Sequence, residues 1–133
     1  MSQLTTYTRN EVLDHIFSKG AWTMPSNVWL ALSTTTPNAA GGNVTEPVGN
    51  NYSRVAFKAQ MGTASGGVIT STGIVESPVA SGSWGTVTHM CVYDAATNGN
   101  LLAFAPLPTS QAIGANQKLE FPIGDITSRL TTA

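Results

Sequence analysis

The chain has 133 residues, with 6 basic and 7 acidic side chains, a formal net charge of −1 and 10% charged residues, against about a quarter charged in ordinary soluble domains. That length suits one domain over residues 1–133, large enough for a core but not for two. The cations are scattered, so no basic patch offers itself to nucleic acid, and no apolar run approaches the roughly 18 residues that cross a bilayer; the chain is expected to be soluble, made in a cytoplasm, with neither nucleic acid nor membrane as partner.

The first element reads as a helix over about residues 8–19. Thr8 followed by Glu11 has the form of a capping box, Val12, Leu13, Ile16 and Phe17 make an apolar stripe at helical spacing, and Gly20 can end the helix in the left-handed conformation. The stripe is expected to pack on the domain's own sheet; the alternative is docking into a neighbouring subunit.

From Ser26 onward the pattern is that of strands. Val28, Leu30 and Leu32 alternate with Trp29, Ala31 and Ser33 until TTTPN ends the run. A long Gly, Asn and Pro loop follows, and Tyr52 to Gln60 resumes as a strand with Val55, Phe57 and Ala59 on one face. Gly66 to Ser77 reads as a strand broken near Gly73. The strongest signal is the hairpin from Trp84 to Leu107: both faces of Trp84–Tyr93 carry bulky or β-branched side chains, as in a central strand, and Asn98-Gly99 supplies the positive φ of a reversal. Gln117 to Ile123 and Ile126 to Leu130 complete the set, separated by Gly124-Asp125. The expected fold is all-β, a mainly antiparallel β-sandwich of Greek-key type with about seven strands and one short N-terminal helix, a barrel being the alternative.

Several of these stretches also resemble a known family. Tyr7 with VLDHIF, AWTMPSNVWLALSTTTP at Ala21–Pro37, TEP at Thr45–Pro47, NNYSRVAF at Asn50–Phe57, and WGTVTH, YDA and GNLL between Trp84 and Leu102 are similar, in order, to small tailed-bacteriophage virion proteins labelled as tail-fibre proteins. The resemblance covers most of the chain, apart from the loop Asn38–Val44 and the segment Val75–Ser83. It implies a place in the virion and other virion proteins as partners, and it brings no enzymatic activity with it.

The side-chain inventory agrees. The two histidines, His15 and His89, are the only bases a hydrolytic triad could use, and there is no GxSxG, HExxH or CxxC. His15 lies beside Asp14 on the polar side of the helix, and His89 in the central strand is expected to hydrogen-bond locally. His89 and Cys91 share a strand face, but nothing near them completes a zinc site, and Asp94, Asn98 and Asn100 do not have the spacing of an EF-hand. Cys91 reads as a buried, inert thiol. No catalytic residue, cofactor or metal is therefore expected.

The expected role is a non-enzymatic virion structural protein, an accessory module of the tail fibre or baseplate or of the capsid surface, repeated under symmetry as a homo-oligomer or decoration. Interface candidates are Val12, Ile16, Phe17, Trp22, Trp29 and Tyr52. The competing reading is a receptor-recognition tip in which Trp22, Trp29, Trp84 or Tyr52 stacks on a glycan.

Overall fold

Nine strands and one helix follow one another as β1 (Gln3–Leu4), α1 (Thr6–Ile16), β2 (Trp29–Ser33), β3 (Val55–Ala56), β4 (Val68–Thr70), β5 (Val75–Glu76), β6 (Gly85–Tyr93), β7 (Leu101–Ile113), β8 (Glu120–Phe121) and β9 (Thr127–Arg129). They are seen in a computed structural model that describes residues 2–130. The expected all-β fold with a single short N-terminal helix is what the described residues form.

One antiparallel sheet has the order β1-β7-β6-β2-β3, so the Trp84–Tyr93 run is central, as its two apolar faces required. Its partner β7 begins after a turn in which Asn98 and Gly99 have φ of 55° and 74°. Asp94 organises that turn by accepting the Asn100 N–H at 2.7 Å. A Cβ at position 99 would stand 2.5 Å from Asp94 Oδ1, so glycine is required there for space as well as for φ.

The strand β7 runs further than Leu107, where the sequence pattern ends. His89 pairs with Pro106 and Val87 with Gln111, so Leu107–Ser110 bulge out opposite Thr88 before pairing resumes up to Ile113. Pro108 lacks the N–H for an unbroken ladder and falls inside the excursion, which begins directly after Pro106, the partner of His89.

Each face of the sheet has its own core. Leu30, Leu32, Met90 and Ala105 on one face pack with Val75, Phe121 and Ile126 from the second layer, together with Phe57, Trp84 and Val87. On the other face Ala31, Cys91, Tyr93, Leu101 and Phe104 cluster, with Trp29 and Val44 against them. The second layer is two short ribbons, β4–β9 and β5–β8, instead of one continuous sheet. Buried serines extend each ribbon past its ladder: beyond β4, Ser71 Oγ accepts the Gly124 and Ile126 N–H groups at 3.2 Å, and beyond β5, Ser77 Oγ accepts that of Leu119 at 2.9 Å. These hydroxyls satisfy amides that a longer ladder would otherwise have taken.

Three sequence expectations are corrected here. Tyr52 to Gln60 is not one strand: only Val55–Ala56 pairs, and a 3-10 turn at Lys58–Gln60 follows, leaving Ala59 exposed while Phe57 goes into the core. Gln117 to Ile123 shortens to Glu120–Phe121, with Ile123 exposed. The helix spans Thr6–Ile16 instead of 8–19: Thr5 is its N-cap, Phe17 its C-cap, and Ser18 rather than Gly20 takes the positive φ, at 62°.

Candidate functional site

The helix starts at Thr6, ahead of the expected residue 8, because threonine hydroxyls fasten it to the sheet. Thr5 Oγ1 donates to the Leu101 carbonyl at 2.7 Å while accepting the Thr8 N–H at 3.3 Å. Thr8 Oγ1 donates to the Leu102 carbonyl at 2.8 Å. Both threonines are buried, and Thr8 is the only buried residue of α1. Attachment by hydrogen bonds at the first turn leaves the rest of the helix projecting from the sheet edge.

The stripe at Val12, Leu13, Ile16 and Phe17 therefore does not pack on the domain's own sheet, contrary to the first expectation. Leu13, Ile16 and Phe17 are 52%, 62% and 68% exposed, and only Val12 is half-buried. Helical periodicity gives α1 two opposite faces. On one, Tyr7 meets the Trp22 ring edge-on with centroids 6.4 Å apart, and His15 Nδ1 accepts the Trp22 N–H at 3.1 Å. The chain after the helix is thus pinned back along that side.

The other face overlooks a groove of ≈ 630 Å³. Val12, Leu13 and Ile16 form its helical wall, Leu4 and Phe104 come from β1 and β7, and Pro106 and Leu130 extend the apolar lining. Arg9 and Arg129 also line it, and among the described residues no carboxylate does. The ion pairs among the described residues are Arg54–Glu46 and Lys118–Glu76, and neither takes in Arg9 or Arg129. Among the described residues, the Arg9 side chain donates to Thr6 Oγ1, at 3.3 Å.

A second polar cluster closes the loop end of the sheet. Arg54 pairs with Glu46 through Nη2 at 2.8 Å and Nε at 3.0 Å, stacks on Tyr93 with its Cζ 3.7 Å from the ring centroid, and donates to the Ala95 and Asn98 carbonyls at 2.9 and 2.8 Å. Tyr52 donates its O–H to Glu46 Oε1 at 2.6 Å and accepts the Leu32 N–H at 3.0 Å. Burial works to raise the Glu46 pKa, but the hydrogen bonds from Arg54 and Tyr52 outweigh it and hold the carboxyl below its usual value. Burial, reinforced by Glu46, raises the Tyr52 phenol well above its ordinary value. The cluster locks the loop before β3 onto the β6–β7 turn; among the described residues no buried side-chain nitrogen or oxygen is left without a partner, and the cluster is a brace.

The remaining candidates lie apart from the groove. Trp84 is core: its indole N–H donates to the Asn50 carbonyl at 2.9 Å and its ring meets Tyr52 edge-on at 5.3 Å. Trp29 is half-buried against the Tyr93 cluster, and Tyr52 belongs to the brace. His89 Nδ1 lies 2.8 Å from Thr88 Oγ1, and desolvation lowers its pKa. Burial pushes the Cys91 thiol up to about 12. The described residues include no group of three or more His, Cys, Asp or Glu placed to hold a metal ion.

Of the six interface candidates, the groove unites Val12 and Ile16, with Phe17 beside them at the helix tip; it does not bring in Trp22, Trp29 or Tyr52. The residues missed from the sequence are Leu4, Arg9, Phe104, Pro106, Arg129 and Leu130. No local signal marks them, because they come from both ends of the chain and from β7. No helix of the described residues is long and apolar enough to cross a membrane. No curated protein sequence matches the chain at a significant level. The family model described as podophage GP4 fiber I protein gp80 matches residues 3–129, and the chain belongs to that family of phage fibre proteins, which makes it a structural protein of the virion.

Proposed function

We propose that the protein is a non-enzymatic module of the phage tail fibre, joined to another virion protein through the groove between α1 and the β1–β7 sheet edge. The observation that carries this is the exposure of Leu13, Ile16 and Phe17 on a helix whose own attachment is made by the Thr5 and Thr8 hydroxyls. A stripe left largely exposed, next to an apolar groove, is the usual mark of a protein contact. Repetition of that contact under the symmetry of a particle would let a modest interface hold firmly. The fibre family supports the tail over the capsid surface as the location.

The test uses a phage deleted for this gene and complemented with variants. Ile16→Asp is expected to fold normally, since Ile16 is largely exposed, and to be absent from purified particles by immunoblot. Normal incorporation of that variant would overturn the reading.

A further inference from the structure

We propose that the groove receives an apolar segment of another virion protein that carries carboxylate side chains, with Arg9 and Arg129 at the rim pairing with them; this rests on the groove being the attachment site. Charge complementarity points to the occupant. Arg9 and Arg129 line a mainly apolar surface that, among the described residues, has no lining carboxylate, and Asp125 lines the adjoining hollow that shares Ser2 and Pro106 with the groove. Arginine's planar fork suits bidentate pairing with carboxylates at interfaces.

The position of Arg9 is a second, independent observation. Arg9 is the fourth residue of α1, at the end of the first turn, and that turn contains no acidic residue. The positive end of the helix dipole disfavours a cation there and favours an acid. A side chain set against the preference of its own helix, without a carboxylate partner among the described residues, is explained by a partner that supplies one. A second copy docking by two-fold symmetry through the same groove would instead bring the arginines of two copies together.

The experiment measures binding of the purified protein to particles from the gene-deleted phage, across salt concentrations, for the wild type and for Arg9→Glu, Arg129→Glu and Ile16→Asp. Expected are saturable binding that weakens with salt, a loss of on the order of tenfold for each charge reversal at low salt, and a shallower salt dependence in both. Arg9→Glu should melt no lower than the wild type, because an acid suits that helix position, so weakened binding cannot come from unfolding. Charge reversals that bind like the wild type, while Ile16→Asp does not bind, would overturn the carboxylate partner and leave the groove as attachment site. Normal binding by Ile16→Asp would instead refute the attachment reading itself. Self-association of the wild type by sedimentation, abolished by Ile16→Asp and kept by Arg9→Glu, would overturn the proposal in favour of a second copy.

Discussion

Thr8 and Leu102 are 94 residues apart, yet the Thr8 hydroxyl donates to the Leu102 carbonyl at 2.8 Å. With the Thr5–Leu101 bond beside it, this contact sets where α1 starts and how it stands off the sheet edge. Thr8→Val keeps the shape and removes the hydroxyl; it is expected to cost about 1 kcal/mol, because the Leu102 carbonyl still accepts the Thr5 N–H. Thr5→Ala removes both the N-cap and the Leu101 bond and should cost about 2 kcal/mol. Urea denaturation measures both, and amide exchange in α1 should speed up more than in β6.

Core and stripe should separate cleanly in a stability series. Leu30→Ala, at a site 2% exposed, is expected to cost about 2 to 5 kcal/mol through lost transfer and a cavity. Phe17→Ser, on the exposed helix tip, should stay within about 0.5 kcal/mol of the wild type. A large loss for Phe17→Ser would mean that the stripe packs within the domain after all.

The Glu46–Arg54 brace predicts an acid-sensitive loop. The Glu46 carboxyl titrates below its ordinary value of 4.5, so its contribution is fully present above the unfolded carboxylate pKa and fades as pH falls through the lower folded value. Glu46→Gln should therefore be less stable than the wild type at neutral pH, with the gap closing on acidification below about 4.5. Arg54→Ala leaves Glu46 without its guanidinium and frees two carbonyls, for an expected loss of about 2 to 3 kcal/mol. Thermal melts from pH 3 to 8, within the carboxylate range and above it, would expose the difference.

Cys91 is fully buried with its thiol pushed up to about 12, which leaves almost no thiolate at neutral pH. An aromatic disulfide reagent should label it only as fast as the protein opens. Fast, denaturant-independent labelling would show access that the fold does not provide.

Features that depend on near neighbours are legible along the chain. Asn98-Gly99 turns wherever two such residues favour positive φ, and the two-faced apolar pattern of Val87–Val92 suits only the middle of a sheet. The residues matched at TEP and NNYSR were also legible as significant, although not as one cluster in which Glu46, Tyr52 and Arg54 meet. Features that depend on distant partners emerge only in the folded chain. Capping-box chemistry at Thr8 and Glu11 was a sound local pattern, but the carbonyls of Leu101 and Leu102 recruited Thr5 and Thr8 and moved the helix start. Tyr52–Gln60 alternated like a strand, but it finds a ladder partner only where β2 lies beside Val55–Ala56. Arg9 and Arg129 share a groove only because β1 and β7 pair at one edge and β9 returns beside them. Local conformational preferences act over a few residues and are written in the sequence; hydrogen-bond satisfaction and charge placement depend on which distant atoms the fold brings near, and only the folded chain supplies those.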